Sequence, residues 1–323
     1  MTPQEEQIFN IRAAQAQSLQ QAQLLIEALP WIKEATGKTV VIKYGGAAMT
    51  DNKLCADVMS DIVLMKIIGL NPIIVHGGGN EISQLSERLG LPVEFKDGMR
   101  VTSPEVMDVV KMVLIGKVNQ GLVGQMNAHG HLAVGLSGAD GHTIKAEPIS
   151  AELGLTGNIT QIDTTLLHDL ISSNYVPIIA SVAVGADGAS YNVNADMAAG
   201  KIAAAIGAHK VIFLTDVDGL YADFNDKTSL ISRLTLDQAM EMQRSGGLSA
   251  GMIPKIQACV TALTAGVSRA HLLNGTIAHA LLLEIFTNEG VGTMIMRDDQ
   301  ALGENGFTNY PLEGLASKLH SRD

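Results

Sequence analysis

The chain has 323 residues, of which 46% are hydrophobic, enough apolar material for one large or two modest buried cores. Its formal net charge of −11 argues against nucleic acid or an anionic membrane as a bulk partner, because a field of the wrong sign would have to be overcome locally. Anionic ligands must therefore meet a few placed lysines and arginines, together with a divalent cation.

Cys55 and Cys259 are the two cysteines, both in apolar helical stretches; they read as buried thiols, with no disulfide framework or cysteine metal cluster. Met1 to Asn10 is acidic and polar where an export signal is basic and then apolar, and no run approaches the ~18 apolar residues of a membrane span. The expected location is cytoplasmic, so the sequons Asn158-Ile159-Thr160 and Asn274-Gly275-Thr276 carry no meaning for glycosylation.

Residues 3 to 29 place Ile8, Ile11, Leu19, Ala22, Ile26 and Leu29 on a repeat near 3.5, which predicts a long amphipathic helix. Pro30 reads as its stop or kink, and the catalytic body begins after Gly37. Apolar strand-like runs then alternate with helical stretches: Thr39 to Tyr44, Pro72 to His76, Leu132 to Leu136, Val176 to Ser181, Val211 to Thr215 and Gly292 to Met296. Buried runs of this length between helices predict an α/β, three-layer αβα sandwich with an open, mostly parallel central sheet. Ala186-Asp187-Gly188 predicts a hairpin that delivers Asn192 and Asn194, facing the same way on one strand, to a sheet edge. An Ala-rich helix from Ala195 to Ala208 separates two lobes, and residues 298–323 lose periodicity and read as a loosely attached tail.

Three separated stretches read as one dispersed phosphoryl-transfer site: Val41-Ile42-Lys43-Tyr44-Gly45-Gly46, Tyr191-Asn192-Val193-Asn194-Ala195-Asp196 and Gly251-Met252-Ile253-Pro254-Lys255. Two lysines can neutralise charge between donor and acceptor, an aspartate can hold both ammonium groups, and glycines let backbone N–H groups approach phosphate oxygens. No general base stands out, which suits an acceptor already anionic at pH 7, such as a carboxylate. Plainer readings exist for each residue alone. Lys43 also reads as a strand-end lysine, His76-Gly77-Gly78-Gly79 as a flexible turn, Arg100 as a surface arginine, Asp196 as a helix cap and Lys255 as a first-turn lysine. Neither G-x-G-x-x-G nor the Walker sequence is present, and the nine histidines form no metal-ligand set, His129 and His131 reading as solvated loop residues.

These segments, with Gly98-Met99-Arg100-Val101-Thr102, resemble the amino-acid kinase family colinearly from about Leu29 to Met296. Within it they are most similar to the arginine-sensitive, N-acetyl-L-glutamate-directed members that carry an N-terminal helix. The resemblance implies ATP-dependent phosphorylation of the side-chain carboxylate of N-acetyl-L-glutamate in arginine biosynthesis, with Mg²⁺ accompanying ATP; a kinase of the one-methylene-longer N-acetyl-aminoadipate and an idle arginine sensor are the alternatives. It implies Lys43, Lys255 and Asp196 as catalytic residues, Gly78, Gly79, Arg100, Asn192 and Asn194 around the substrate, and Gly45, Gly46 and Asp216 around the nucleotide. Inhibition by arginine at Trp31, Lys210, His271, Glu284 and Gly290, in a hexameric ring of dimers, follows in the same way. So does a division into an oligomerisation helix (1–30), a substrate lobe (37–208), a nucleotide lobe (209–297) and the tail. The chain departs from the family at Asn274-Gly275-Thr276, where Asp-Gly-Arg is usual, and at Asn80-Glu81, which places a negative charge close to an anionic substrate.

Overall fold

A computed structural model describes residues 28–49, 51–223, 226–246, 248–249, 251–286 and 290–297, together with Leu19 and Ile26. The strands are β1 (Thr39–Tyr44), β2 (Asn71–His76), β3 (Phe95–Lys96), β4 (Met99–Arg100), β5 (Ala133–Ser137), β6 (Ile144–Pro148), β7 (Gly157–Ile162), β8 (Val176–Ala180), β9 (Val182–Val184), β10 (Ser190–Asn192), β11 (Lys210–Thr215), β12 (Leu220–Tyr221), β13 (Leu230–Ile231), β14 (Arg233–Thr235), β15 (Arg269–Asn274) and β16 (Thr293–Met296). Residues 28–35 form helix α1. The other α-helices are α2 (Asn52–Ile67), α3 (Gly79–Arg88), α4 (Pro104–Lys111), α5 (Gln120–Asn127), α6 (Thr165–Ser172), α7 (Ala195–Ile206), α8 (Leu236–Arg244), α9 (Ile253–Thr264) and α10 (Ala280–Phe286).

Helix α1 runs through Pro30 to residue 35, so the expected stop there is corrected. Pro30 is exposed, and water can meet the carbonyl that loses its N–H partner. The chain instead turns at Gly37, whose φ of +78° suits a residue without Cβ, and enters β1. Leu19, Ile26 and Leu29 are helical and exposed; Ile8, Ile11 and Ala22 of the N-terminal stripe and the 298–323 tail lie outside the described residues.

Eight strands form one sheet in the order β14-β16-β15-β11-β1-β2-β8-β5, parallel at every step except β15 against β16. The chain steps from β1 to β2 on one side and returns to β11 on the other, so the strand order reverses around β1, where ligands sit in such sheets. Alternation along the central strands divides the core in two. Val41, Ile73, Val75, Val211 and Phe213 face the layer that includes Ala199 and Ile202 of α7 and Ile256 and Cys259 of α9. Val40, Ile42, Ile74, Ile212 and Leu214 face the layer that includes Met59 and Ile62 of α2 and Leu281 of α10. Both cysteines are buried, as their apolar helical settings predict.

A second sheet, β10-β9-β6-β7, stands over one end, and the Asp187-Gly188 turn does join β9 to β10 as a hairpin. Asn194, however, is not on the strand with Asn192. The strand ends at Asn192, and Asn194 becomes the N-cap of α7, accepting from the Asp196 and Met197 N–H groups (2.9 and 3.0 Å). Between α4 and α5 the chain winds as a π-helix over Met112–Asn119.

Candidate active site

Lys43 sits one residue before the end of β1, on the face directed at α7 and α9. This parity decides its partner. Its Nζ lies 3.0 Å from Asp196 Oδ1 in the first turn of α7, and Lys255 Nζ in the first turn of α9 lies 3.2 Å from the other oxygen, Oδ2. One carboxylate therefore holds two ammonium groups, with only 12, 7 and 17% of the Lys43, Asp196 and Lys255 side chains exposed. Burial by itself would push the Asp196 carboxyl up, but Lys43 and then Lys255 outweigh it and hold the group below the usual carboxylate range. Pro254 is tolerated because it lies in the first turn of α9, where no intrahelical N–H bond is lost.

Two glycines set this geometry. A Cβ on Gly45 would stand 2.9 Å from Lys43 Nζ, so glycine leaves the ammonium room beside the backbone. Gly200, one turn beyond Asp196, lets α7 cross close to α9: a Cβ there would sit 2.6 Å from the Ala258 carbonyl oxygen. The distance from Asp196 to Lys255 is thus fixed by helix packing as well as by charge.

From this cluster an open cleft of about 280 Å³ extends past Gly45, Gly46 and Gly77–Gly79 to Arg100, Asn192 and Asn194. Arg100 is 7% exposed and lies over the Phe95 ring at 4.7 Å; its Nη2 donates to Gly79 O and Ser83 Oγ (both 2.8 Å). Its other amino group, Nη1, is buried without a protein partner. Asn192 Nδ2 donates to Thr102 Oγ1 (3.3 Å), and Thr102 and Thr156 form a buried hydroxyl pair beneath the Arg100 carbonyl. Thr102 entered the sequence reading only as the last residue of Gly98-Met99-Arg100-Val101-Thr102, and the isolated Thr156 carries no spacing signal. Ser181, at the end of β8, also lines the cleft.

Asp216 lies outside the cleft, exposed just beyond β11, with Thr215 Oγ1 donating to it (3.2 Å). Beside it, Asn274 Nδ2 donates to Asp218 Oδ1 (2.7 Å) and Asn274 Oδ1 accepts from Thr276 N–H (2.9 Å). The unusual Asn274-Gly275-Thr276 thus ties the end of β15 to the segment after β11. Glu81 occupies the first turn of α3, close to Gly78, where the helix N-terminus favours a negative charge. No group of three or more potential metal ligands occurs among the described residues.

Away from the cleft, the structure gathers the second set. Trp31 and Lys210 line a cavity of about 10 Å³ under α1. His271 Nδ1 meets Glu284 Oε1 at 2.6 Å, and Glu284 Oε2 accepts from Val291 N–H (2.8 Å). Burial keeps His271 neutral, while His271 and the Val291 amide outweigh burial and hold the Glu284 carboxyl low; Lys210 acts on both. Gly290 (φ +63°) abuts this pair, a Cβ there reaching within 2.7 Å of Glu284 Oε2, and His271 Nε2 is buried without a partner.

The cleft thus lies where the order of a mostly parallel sheet reverses, beside a carboxylate that clasps two lysines. Residues 38–274 match the model of the amino acid kinase family, and the chain belongs to that family. It is 51% identical over 279 residues to the acetylglutamate kinase of Thermoanaerobacter pseudethanolicus, covering 86% of this chain and 93% of that one. It is 49% identical over 290 residues to the acetylglutamate kinase of Symbiobacterium thermophilum, covering 87% and 99%. Among solved structures, N-acetylglutamate synthase from Neisseria gonorrhoeae, complexed with coenzyme A and N-acetyl-glutamate, superposes with TM-score 0.77 at 23% identity over 86% of this chain, which spans 63% of that synthase. Carbamate kinase from Giardia shares the fold at TM-score 0.62 and 16% identity, covering 81% and 99%.

Proposed function

We propose that the protein transfers the γ-phosphoryl group of ATP to the side-chain carboxylate of N-acetyl-L-glutamate, the acyl-phosphate-forming step of arginine biosynthesis. The observation that carries this is the double lysine clasp of Asp196 at one end of a cleft that is also lined by Arg100, whose Nη1 has no protein partner. The kinship with acetylglutamate kinases near 50% identity supports the choice of acceptor.

A carboxylate oxygen attacks the γ-phosphorus, the bond to the β-phosphate oxygen breaks, and ADP leaves with the electron pair. No proton needs removing, which fits a site whose carboxylate, Asp196, is held ionised by two ammonium groups. Lys43 and Lys255 offset the charge spreading over the transferred group, and Mg²⁺ enters on the ATP phosphates as part of that substrate. Gly45 and Gly46 face the phosphates, with Asp216 on the nucleotide side; Gly78, Gly79, Arg100, Asn192 and Asn194 receive the acceptor. Residues 37–208 carry the acceptor half and 209–297 the nucleotide half, in a cytoplasmic enzyme.

A hydroxylamine trap with N-acetylglutamate, N-acetyl-aminoadipate and unacetylated glutamate tests this directly. ATP-dependent hydroxamate with N-acetylglutamate at the highest kcat/KM is expected. Stronger turnover of the longer acid moves the assignment, and no ADP release with any acceptor leaves a sensor.

Arginine is the proposed inhibitor, in a ring of dimers joined by the N-terminal helix. Supporting it are the ionised Glu284 and the His271 Nε2 acceptor, both within the influence of Lys210, which lines a cavity with Trp31 of α1. A cavity of about 10 Å³ holds no more than a water, so the effector must displace α1 to enter. Glu284→Gln should weaken arginine inhibition at least tenfold with kcat unchanged; unaltered inhibition removes Glu284 from that site.

A further inference from the structure

We propose that His76 and Asn119 are a positioning pair that sets the peptide plane of the glycine loop, aiming the Gly78 N–H into the cleft at the acceptor carboxylate; the identity of the acceptor rests on the function proposed above. Neither residue lines the cleft, and they are 0 and 1% exposed. They work through the backbone between them and the ligand.

Asn119 closes the π-helix and enters the space under β2 and β8. Its Nδ2 lies 2.8 Å from Ile178 O, 3.4 Å from Leu136 O and 3.0 Å from His76 Nε2. Turned over, the side chain would set its own oxygen against two carbonyl oxygens, so the amide sits one way round. Nε2 of His76 must then accept, and a neutral imidazole that accepts at Nε2 carries its proton on Nδ1. That Nδ1–H, 2.9 Å from Gly77 O, donates to the Gly77 carbonyl. In a planar trans peptide C=O and N–H point in opposite directions, so a Gly77 carbonyl held inward turns the Gly78 N–H outward. Gly78 lines the cleft, and no acceptor among the described residues meets its N–H.

The surroundings are cut to this arrangement. A Cβ on Gly135 would stand 2.0 Å from Asn119 Oδ1, so glycine there admits the amide. A Cβ on Gly78 would stand 2.8 Å from Leu114 Cδ2 and 3.3 Å from Val118 Cγ2. The wide π winding sets Leu114, Val118 and Asn119 on one face, two packing on the loop and the third on His76. Burial lowers the His76 pKa to about 4, against a smaller opposing effect of the Gly77 bond, so the ring stays neutral over the working range.

Two variants of the full-length protein separate positioning from packing. The amide of Asn reaches the place of Nδ1, so His76→Asn retains a donor to Gly77 O; the amide of Gln reaches the place of Nε2, so His76→Gln retains the contact to Asn119 and loses that donor. Expected is a KM for N-acetylglutamate raised about 10- to 100-fold in His76→Gln, with the KM for ATP little changed and most of the loss recovered in His76→Asn. Equal losses in both variants, tracking their melting temperatures, would overturn the proposal. Independently of turnover, long-range ¹H–¹⁵N spectra of the ligand-free protein should show the Nδ1–H tautomer for the signal lost in His76→Asn. An Nε2–H tautomer refutes the pair even if the kinase works; the Nδ1–H tautomer without turnover counts against the proposed function and leaves the peptide-plane assignment standing.

Discussion

Replacing Gly200 by alanine tests whether helix packing sets the catalytic geometry. The new Cβ would sit 2.6 Å from Ala258 O and 3.0 Å from Ala258 Cβ, and both neighbours belong to the helix carrying Lys255. Ordinary contact begins near 3.4 Å, so α7 and α9 must separate by about 0.8 Å at that point. Alanine in a helix interior contributes about 1 kcal/mol relative to glycine, whereas overpacking costs about 1–3 kcal/mol, so the net loss of stability is at most about 2 kcal/mol. The Asp196–Lys255 pair, at 3.2 Å, has no slack for such a shift. Misplacement of this order near reacting atoms lowers rate about 10- to 100-fold. The coupled ADP-release assay should therefore show a kcat loss of that size, with the acceptor KM nearly unchanged, in a protein whose Tm falls by only a few degrees. A kcat within about twofold of wild type would show that Asp196 and Lys255 hold their distance without the close crossing.

Lys43→Ala and Lys255→Ala should each lower kcat by about 100-fold or more with smaller changes in KM, since their charge matters most in the transition state; near-normal turnover in either removes that lysine from the mechanism. Arg100→Lys keeps the charge but not the planar guanidinium that bonds Gly79 and Ser83 while offering Nη1, so the KM for N-acetylglutamate should rise about tenfold and that for ATP should stay. A rise confined to ATP would move Arg100 to the other substrate. Below pH 6.5 the unfolded His76 takes up a proton that the folded ring accepts only near pH 4, so this group costs stability as pH falls through that window, about 3 kcal/mol in full. His209, also lowered to about 4 by burial, adds a slope of the same sign. Denaturant unfolding between pH 7 and 4 should therefore give His76→Asn a shallower decline than wild type, and parallel curves would disprove it.

Lys43 could be found in the sequence because a charge near the end of an apolar strand is costly without a task, and β1 has the predicted bounds. Asp196 and Lys255 stood out beside their glycine and asparagine neighbours, and one aspartate for both ammonium groups was expected from their chemistry and the family resemblance, not from their spacing. Asn194 was misplaced because the period of two was carried past the last residue of β10, where the chain had begun a helix. Strand β15 escaped notice since Arg269, His271 and Asn274 break the apolar run, although its four central residues are buried. Asn119 gave no signal at all: its position depends on a π winding that follows neither helical nor strand periodicity.

Lys43 and Lys255 come from opposite ends of the chain, and the β1–β11 seam separates the strand of one from the part of the fold that delivers the other. Any partially ordered species that had closed the acceptor side alone would present Asp196 with one ammonium instead of two. In the proposed mechanism turnover therefore needs both sides of the sheet in place at once.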